Sequence, residues 1–234
     1  MGGGIMGIRC VTVGLLSILW CLLWVLPGSS KGETYKTKTG GVSVIHLPEP
    51  VKDGPVSLEE TLAVRESMRQ YSDASLTLTH ISQLLWAGQG ITRDWGGRTA
   101  PSAGGLYPLE LYVVLPEGVY RYVPHKNQLL RHLDGNVSGV LSRAALGQHW
   151  VRSAPLVIVI CAVYERVCGK YGKRGERYVT IEVGHVAQNI ILQAVSLGLG
   201  SVPVGAFHDE QVRNALRLPE DHEPLYLIPI GHIQ

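Results

Sequence analysis

KYGKRGERYVTIEVGHVAQNIILQAVSLGLGSVPVGAF, residues 170–207, decides how this chain is read. From Arg177 to Gly200 it reads as one long helix. Ile181, Val183, Val186, Ile190, Ile191, Ala194 and Leu197 recur at the spacing that gathers apolar side chains on one helical face. Gly198 or Gly200 ends it, because glycine readily takes the left-handed backbone that closes a helix C-terminus. Pro203 and Gly205 then open a new unit. Ahead of the helix, Lys170, Lys173, Arg174 and Arg177 form a positive cluster in a glycine-flanked loop. A solvated basic surface is the other reading of that cluster.

Working outward, PLVIVICAVY (155–164) is a continuous apolar run of strand length, which predicts a central strand. Downstream, DEQVRNALRL predicts a helix with Asp209 near its N-cap, and EPLYLIPIGH a closing strand. Upstream, SLEETLAVRESMRQY (57–71) opens with Ser57 and, three residues on, Glu60, the pattern of a capping box. It predicts a helix with Leu58, Leu62 and Val64 as its apolar side. HISQLLWAGQGI predicts a second helix capped by Thr79, and 92–105 a loop. LELYVVLP and VYRYVP read as paired strands, KNQLLRHLDG as strand and turn, and VSGVLSRAALG as a helix. This order predicts an α+β domain over 57–234 with a mostly antiparallel central sheet covered by helices.

Composition sets the bounds. A chain of 234 residues with 45% hydrophobic content can bury one sizeable core. A net charge of +2 is small and gives no case for a nucleic-acid partner, which normally binds a broad basic face. Cys161 reads as a small core residue at a strand end. A Cys161–Cys168 bridge is the alternative if the domain lies outside the cytoplasm. Cys10–Pro27, CVTVGLLSILWCLLWVLP, lacks any charge and approaches the ~20 residues that span a bilayer. Residues 1–30 therefore read as a signal anchor or a cleaved signal peptide, making the protein membrane-anchored through residues 10–27 or exported. A mis-assigned start would leave it cytoplasmic. Residues 31–56 read as a linker in which VSVIHL forms one short strand or an arm.

Two further stretches carry chemistry. Arg65 and Arg69 stand four residues apart, so on a helix they project from one face and make a fork for a phosphate, with Ser67 adding a hydroxyl. Solvated surface arginines are the alternative. The small residues of APSAGGLYP (100–108) let backbone N–H groups approach a flat ligand, although a plain loop has the same composition. Glu182 and His185 are three apart on the long helix, but no third ligand has matching spacing, so no metal site is expected.

Taken together, these stretches resemble the nitroreductase superfamily, and within it the SagB-type dehydrogenase group, over about residues 57–232. The resemblance implies an entwined homodimer with one FMN at each of two subunit interfaces. It implies that Arg65, Ser67 and Arg69 hold the FMN phosphate or ring edge. Pro101, Ser102 and Gly104 would reach the partner subunit's flavin, and Pro203, Val204 and Gly205 would lie along the isoalloxazine. Lys170 and Tyr171 match the Lys-Tyr pair of the azoline-oxidising members, which makes them the candidate catalytic residues. NAD(P)H is the implied electron donor, and a small molecule or a peptide the implied substrate. Many members carry a further Lys or Arg beyond the last strand. Here the chain reads Pro229–Gln234, so that contact is missing or made by His232. The apolar N-terminal segment is also unusual for the group.

Overall fold

Strand β6, Leu156–Ala162, is buried at every position, and its alternation explains why. Leu156, Ile158, Ile160 and Ala162 enter one hydrophobic cluster, whereas Val157, Val159 and Cys161 enter a second. Successive side chains point to opposite faces of a sheet, so a strand covered on both faces needs apolar residues throughout. The run predicted to be central is therefore central. It pairs antiparallel with β3 (Leu109–Leu115) on one side and β8 (Glu223–His232) on the other.

The computed structural model describes Met1, residues 36–39 and residues 42–234. All elements named below belong to the unit Thr34–Gln234. Besides these three strands, β1 (Lys36–Thr39), β2 (Val42–His46), β4 (Gly118–Val123), β5 (Gln128–Asp134) and β7 (Leu199–Ser201) complete one sheet, in the order β1-β2-β5-β4-β3-β6-β8-β7. Every neighbouring pair is antiparallel. The α+β, antiparallel, helix-covered fold expected from the sequence is the fold observed. Within the stretch read as a linker, β2 pairs with β5 and buries Ile45, so part of that stretch belongs to the sheet.

One face is covered by α2 (Leu78–Gln89) and α6 (Arg174–Ser196), which pack on each other. The other cluster is closed by α3 (Ser138–Ala144), the short α4 (His149–Ser153) and α7 (Asp209–Leu216). Helix α2 is capped by Thr77, whose hydroxyl accepts the His80 N–H at 3.2 Å, two residues earlier than expected. Cys161 is buried in β6 and Cys168 stands on α5 (Glu165–Tyr171); both are free thiols.

The largest departure is at the first helix. Helix α1 spans only Leu58–Val64, with Ser57 accepting the Glu60 N–H at 3.0 Å as the capping box requires. The chain leaves the helix at Arg65, where ψ is 119°. Ser67 then forms a parallel bridge to Ser201, and the Met68 N–H donates to the Ser201 carbonyl at 3.0 Å. Tyr71 anchors the segment, its hydroxyl donating to the Met68 carbonyl at 2.7 Å. Pairing with β7 thus overrides the helical preference of 65–71. Leu58, Leu62 and Val64 are exposed, and the residue α1 buries is Thr61.

The expectation of a membrane-anchored or exported protein is corrected. Among the described residues no helix is long and apolar enough to cross a membrane. The segment 10–27 on which that expectation rested lies outside the described residues, so it is not carried further.

Candidate functional site

The predicted site residues fall into two groups. The first is the extended segment Arg65–Arg69 beside β7 and the turn that follows it. Because α1 ends at Val64, Arg65 and Arg69 do not share a helical face, and the fork argument fails in that form. The extended segment nevertheless carries Ser67 and Met68 along β7, with Arg65 at the end of α1 before them and Arg69 directly after them. Arg65 is half-buried, and Ser67 and Arg69 are exposed. The Arg69 guanidinium lies over the Trp150 ring, 5.4 Å from its centroid. Among the described residues neither arginine makes an ion pair with a carboxylate. Two residues beyond Ser201 comes Pro203, then Val204, which is buried and exchanges both backbone hydrogen bonds with Leu227 (2.8 and 3.0 Å). Gly205 is exposed, and a Cβ there would meet only Tyr226, at 3.5 Å.

The second group lies at the start of β3. Ser102 is half-buried and Pro101 exposed, and residues Ala103–Gly105 form a single 3-10 turn. Gly104 (φ 64°), Gly105 (φ 65°) and Tyr107 (φ 46°) all take left-handed backbone, which is easy for glycine and costly for tyrosine. Ser102 Oγ accepts the Tyr107 N–H at 2.9 Å. Lys170 and Tyr171 come directly against this turn. A Cβ on Gly104 would stand 2.7 Å from the Tyr171 hydroxyl and 3.1 Å from Lys170 Nζ. The pair was expected in a loop. It occupies the last turn of α5, closed by Gly172 at φ 54°.

One chain keeps these groups apart. Helix α6 starts three residues after Tyr171 and ends three residues before β7. Its 23 residues separate its ends by roughly 33 Å at 1.5 Å per residue. The groups lie nearer to each other than its ends do: Glu182, beside Ser102, is fourteen residues or roughly 21 Å from Ser196, and Pro203–Gly205 leads back from β7 along β8. Clefts of about 490 and 630 Å³ elsewhere on the unit include none of the predicted site residues.

Beneath the second group lies a polar cluster that the sequence reading did not recognise. Glu182 is 2% exposed, and its carboxyl lies beside Ser102, Arg98 and Gln89. Burial pushes that carboxyl up to about 7, against the opposing pull of Ser102, Arg98 and Gln89. Arg98 donates to Gln89 Oε1 at 2.5 Å, and its guanidinium covers the Tyr107 ring, 4.4 Å from the centroid. The signal was present in the helical phase. Val179, Glu182, Val183 and Val186 are all buried, while Ile181, counted on the apolar face, is 46% exposed. His185 is exposed, so it and Glu182 do not share a face, and no metal-binding group occurs among the described residues.

With this geometry established, similarity to known proteins decides the family. The family model described as Nitroreductase family matches residues 62–232. The chain belongs to the nitroreductase family. As a member of that family it is 46% identical over 198 residues to a protein of Methanocaldococcus jannaschii named as a nitroreductase, covering 82% of this chain and 98% of that one. The solved structure of a Ralstonia eutropha protein, also titled a nitroreductase, superposes with a TM-score of 0.75 at 36% identity, covering 82% of this chain and 90% of that one. More distant relatives are an FMN reductase [NAD(P)H] of Bacillus subtilis (29% over 108 residues, 39% of this chain and 43% of that one) and the microcin B17-processing protein McbC of Escherichia coli (28% over 134 residues, 53% and 49%). The aligned region spans less than half of each of those two proteins. This nitroreductase-family chain is thus similar to oxidoreductases, one of them named for flavin, and to a SagB-type relative.

Proposed function

We propose that this nitroreductase-family oxidoreductase is an FMN enzyme that works as a homodimer, with each flavin held between the first residue group of one subunit and the second group of its partner. The observation that carries the reading is that α6 runs on roughly 21 Å from Glu182, beside Ser102, before it reaches Ser196 and the arginine segment beside β7. Each group is half of a site, and a symmetric pair of copies supplies the other half twice. The donor set fits the cofactor. Arg65 and Arg69 are guanidinium donors without a carboxylate, suited to a phosphate. Exposed Gly205, directly after buried Val204, leaves its own backbone open to a flat ring. Pro101, Ser102 and Gly104 would cover that ring from the partner.

Bound flavin would supply two-electron transfer through its N5 atom, with NAD(P)H as the donor. The chain's own residues bind, orient and exclude water. Lys170 and Tyr171, against Gly104, are the groups able to hold or move a proton beside it. That position, with the similarity to McbC, supports a second reading. In it Lys170 or Tyr171 would take the proton that a peptide azoline gives up, and a flavin held beside them would supply the two-electron oxidation that makes it an azole.

The test is the absorbance spectrum and light scattering of the purified full chain. A yellow dimer that releases FMN and not FAD is expected. A colourless protein that takes up no flavin, or a flavin-loaded monomer, refutes the proposal. Steady-state assays with NAD(P)H and a dye acceptor, and with an azoline peptide, separate the two readings of the substrate.

A further inference from the structure

The underside of the Pro101–Tyr107 loop gathers buried polar atoms that lack partners. Among the described residues both carboxyl oxygens of Glu182, Nε2 of Gln89 and Nε of Arg98 make no hydrogen bond. Folded proteins keep few such atoms, because each has lost water and gained nothing in return. Here they belong to three side chains that touch one another or lie side by side. Donors for the carboxyl are nevertheless at hand. Ser102 Oγ already accepts from the Tyr107 N–H, so its own proton is free to be donated. Gln89 Oε1 already accepts from Arg98, so its amide N–H groups are also free. These donors face a carboxyl with two vacant oxygens.

The anchor is a helix residue and the loop is strained. Glu182 stands on the long helix between Val179, Val183 and Val186, all buried. The loop holds Tyr107 in left-handed backbone, which in a non-glycine residue persists only where its surroundings over-determine it. We propose that Glu182 is a positioning residue whose carboxyl, with Gln89 and Arg98, holds Ser102 and so sets the conformation in which the Pro101–Tyr107 loop meets the flavin. The proposal rests on the flavin reading above. Through Gly104 the same contact sets where the loop stands against Lys170 and Tyr171.

FMN titrations and hydrogen exchange on the flavin-stripped full chain test it, comparing wild type, Glu182→Leu and Glu182→Gln. Leucine keeps the bulk and removes the acceptors. FMN affinity is expected to fall at least tenfold, and the amides of residues 102–107 to exchange faster. Glutamine keeps an acceptor for Ser102 and is expected to restore affinity to within threefold of wild type. Affinity within threefold of wild type in the leucine variant overturns the proposal, as does a glutamine variant as weak as the leucine one. Unchanged exchange at 102–107 overturns it without reference to flavin. Wild type that binds no FMN sinks the flavin reading itself, a result distinct from wild type and leucine variant binding alike.

Discussion

Replacing Glu182 by glutamine should change how stability depends on pH, and the structure fixes both sign and size. A carboxyl of ordinary pKa 4.5 is held at about 7 by burial among Val179, Val183 and Val186. The folded state therefore binds this proton more tightly than the unfolded chain. The stabilisation from that proton is fully present below pH 4.5 and is lost as pH rises through about 7. The shift of 7 minus 4.5 units, at about 1.36 kcal/mol each, amounts to about 3 kcal/mol. About 2 kcal/mol of this falls between about pH 5.5 and about pH 8.5. For a domain of this size that is roughly 4–8 °C in melting temperature. The assay is thermal melting of the flavin-stripped full chain at those two pH values, wild type against Glu182→Gln. Burial lowers the imidazole pKa of His222, so its contribution runs the other way and is lost as pH falls below 6.5. It is common to both proteins and cancels in the comparison. Wild type should lose melting temperature toward alkaline pH relative to the variant. Parallel pH curves would refute the reasoning and return Glu182 to an ordinary hydrated carboxylate.

The arginines and the Lys-Tyr pair give sharper local tests. Arg65→Ala and Arg69→Ala should each weaken FMN binding by about 1.5–3 kcal/mol, the range for a hydrogen bond to a charged group, as read by flavin titration; unchanged affinity in both would make them surface arginines. Lys170→Ala and Tyr171→Phe should keep FMN and lose turnover with a dye acceptor or an azoline peptide. Full activity on both substrates would leave the pair without a chemical role, and loss of FMN alone would make it structural.

What was legible in the sequence follows from range. The β6 run, the α6 periodicity and the closing strand 223–232 are local patterns, and each appears where its pattern puts it. The Arg65–Tyr71 segment failed as a helix because its partners are far away in the chain. Ser201 takes the Met68 N–H and Pro229 receives the Tyr71 hydroxyl. No local propensity carries that information. Lys170 and Tyr171 failed as a loop for a different reason. Glu165–Tyr171 is a two-turn helix closed by a glycine, and a helix that short leaves almost no periodicity to read.

Glu182 shows how a residue can be visible and still be misread. Its spacing from Val179, Val183 and Val186 assigns it to the buried face as firmly as any valine, but a carboxylate there looks like a contradiction and invites the reader to shift the face toward Ile181. Physically it is no contradiction. A carboxyl held near neutrality, two donors left free by their other bonds and a strained loop form one unit, and the apolar setting is what gives that unit its strength. The division of the site follows the same logic. The helix that carries Glu182 beneath the loop runs on for fourteen residues, roughly 21 Å, to its end at Ser196, beyond which β7 and the arginines stand. In the proposed dimer, the helix that holds one half of the site leaves the other half to a second chain.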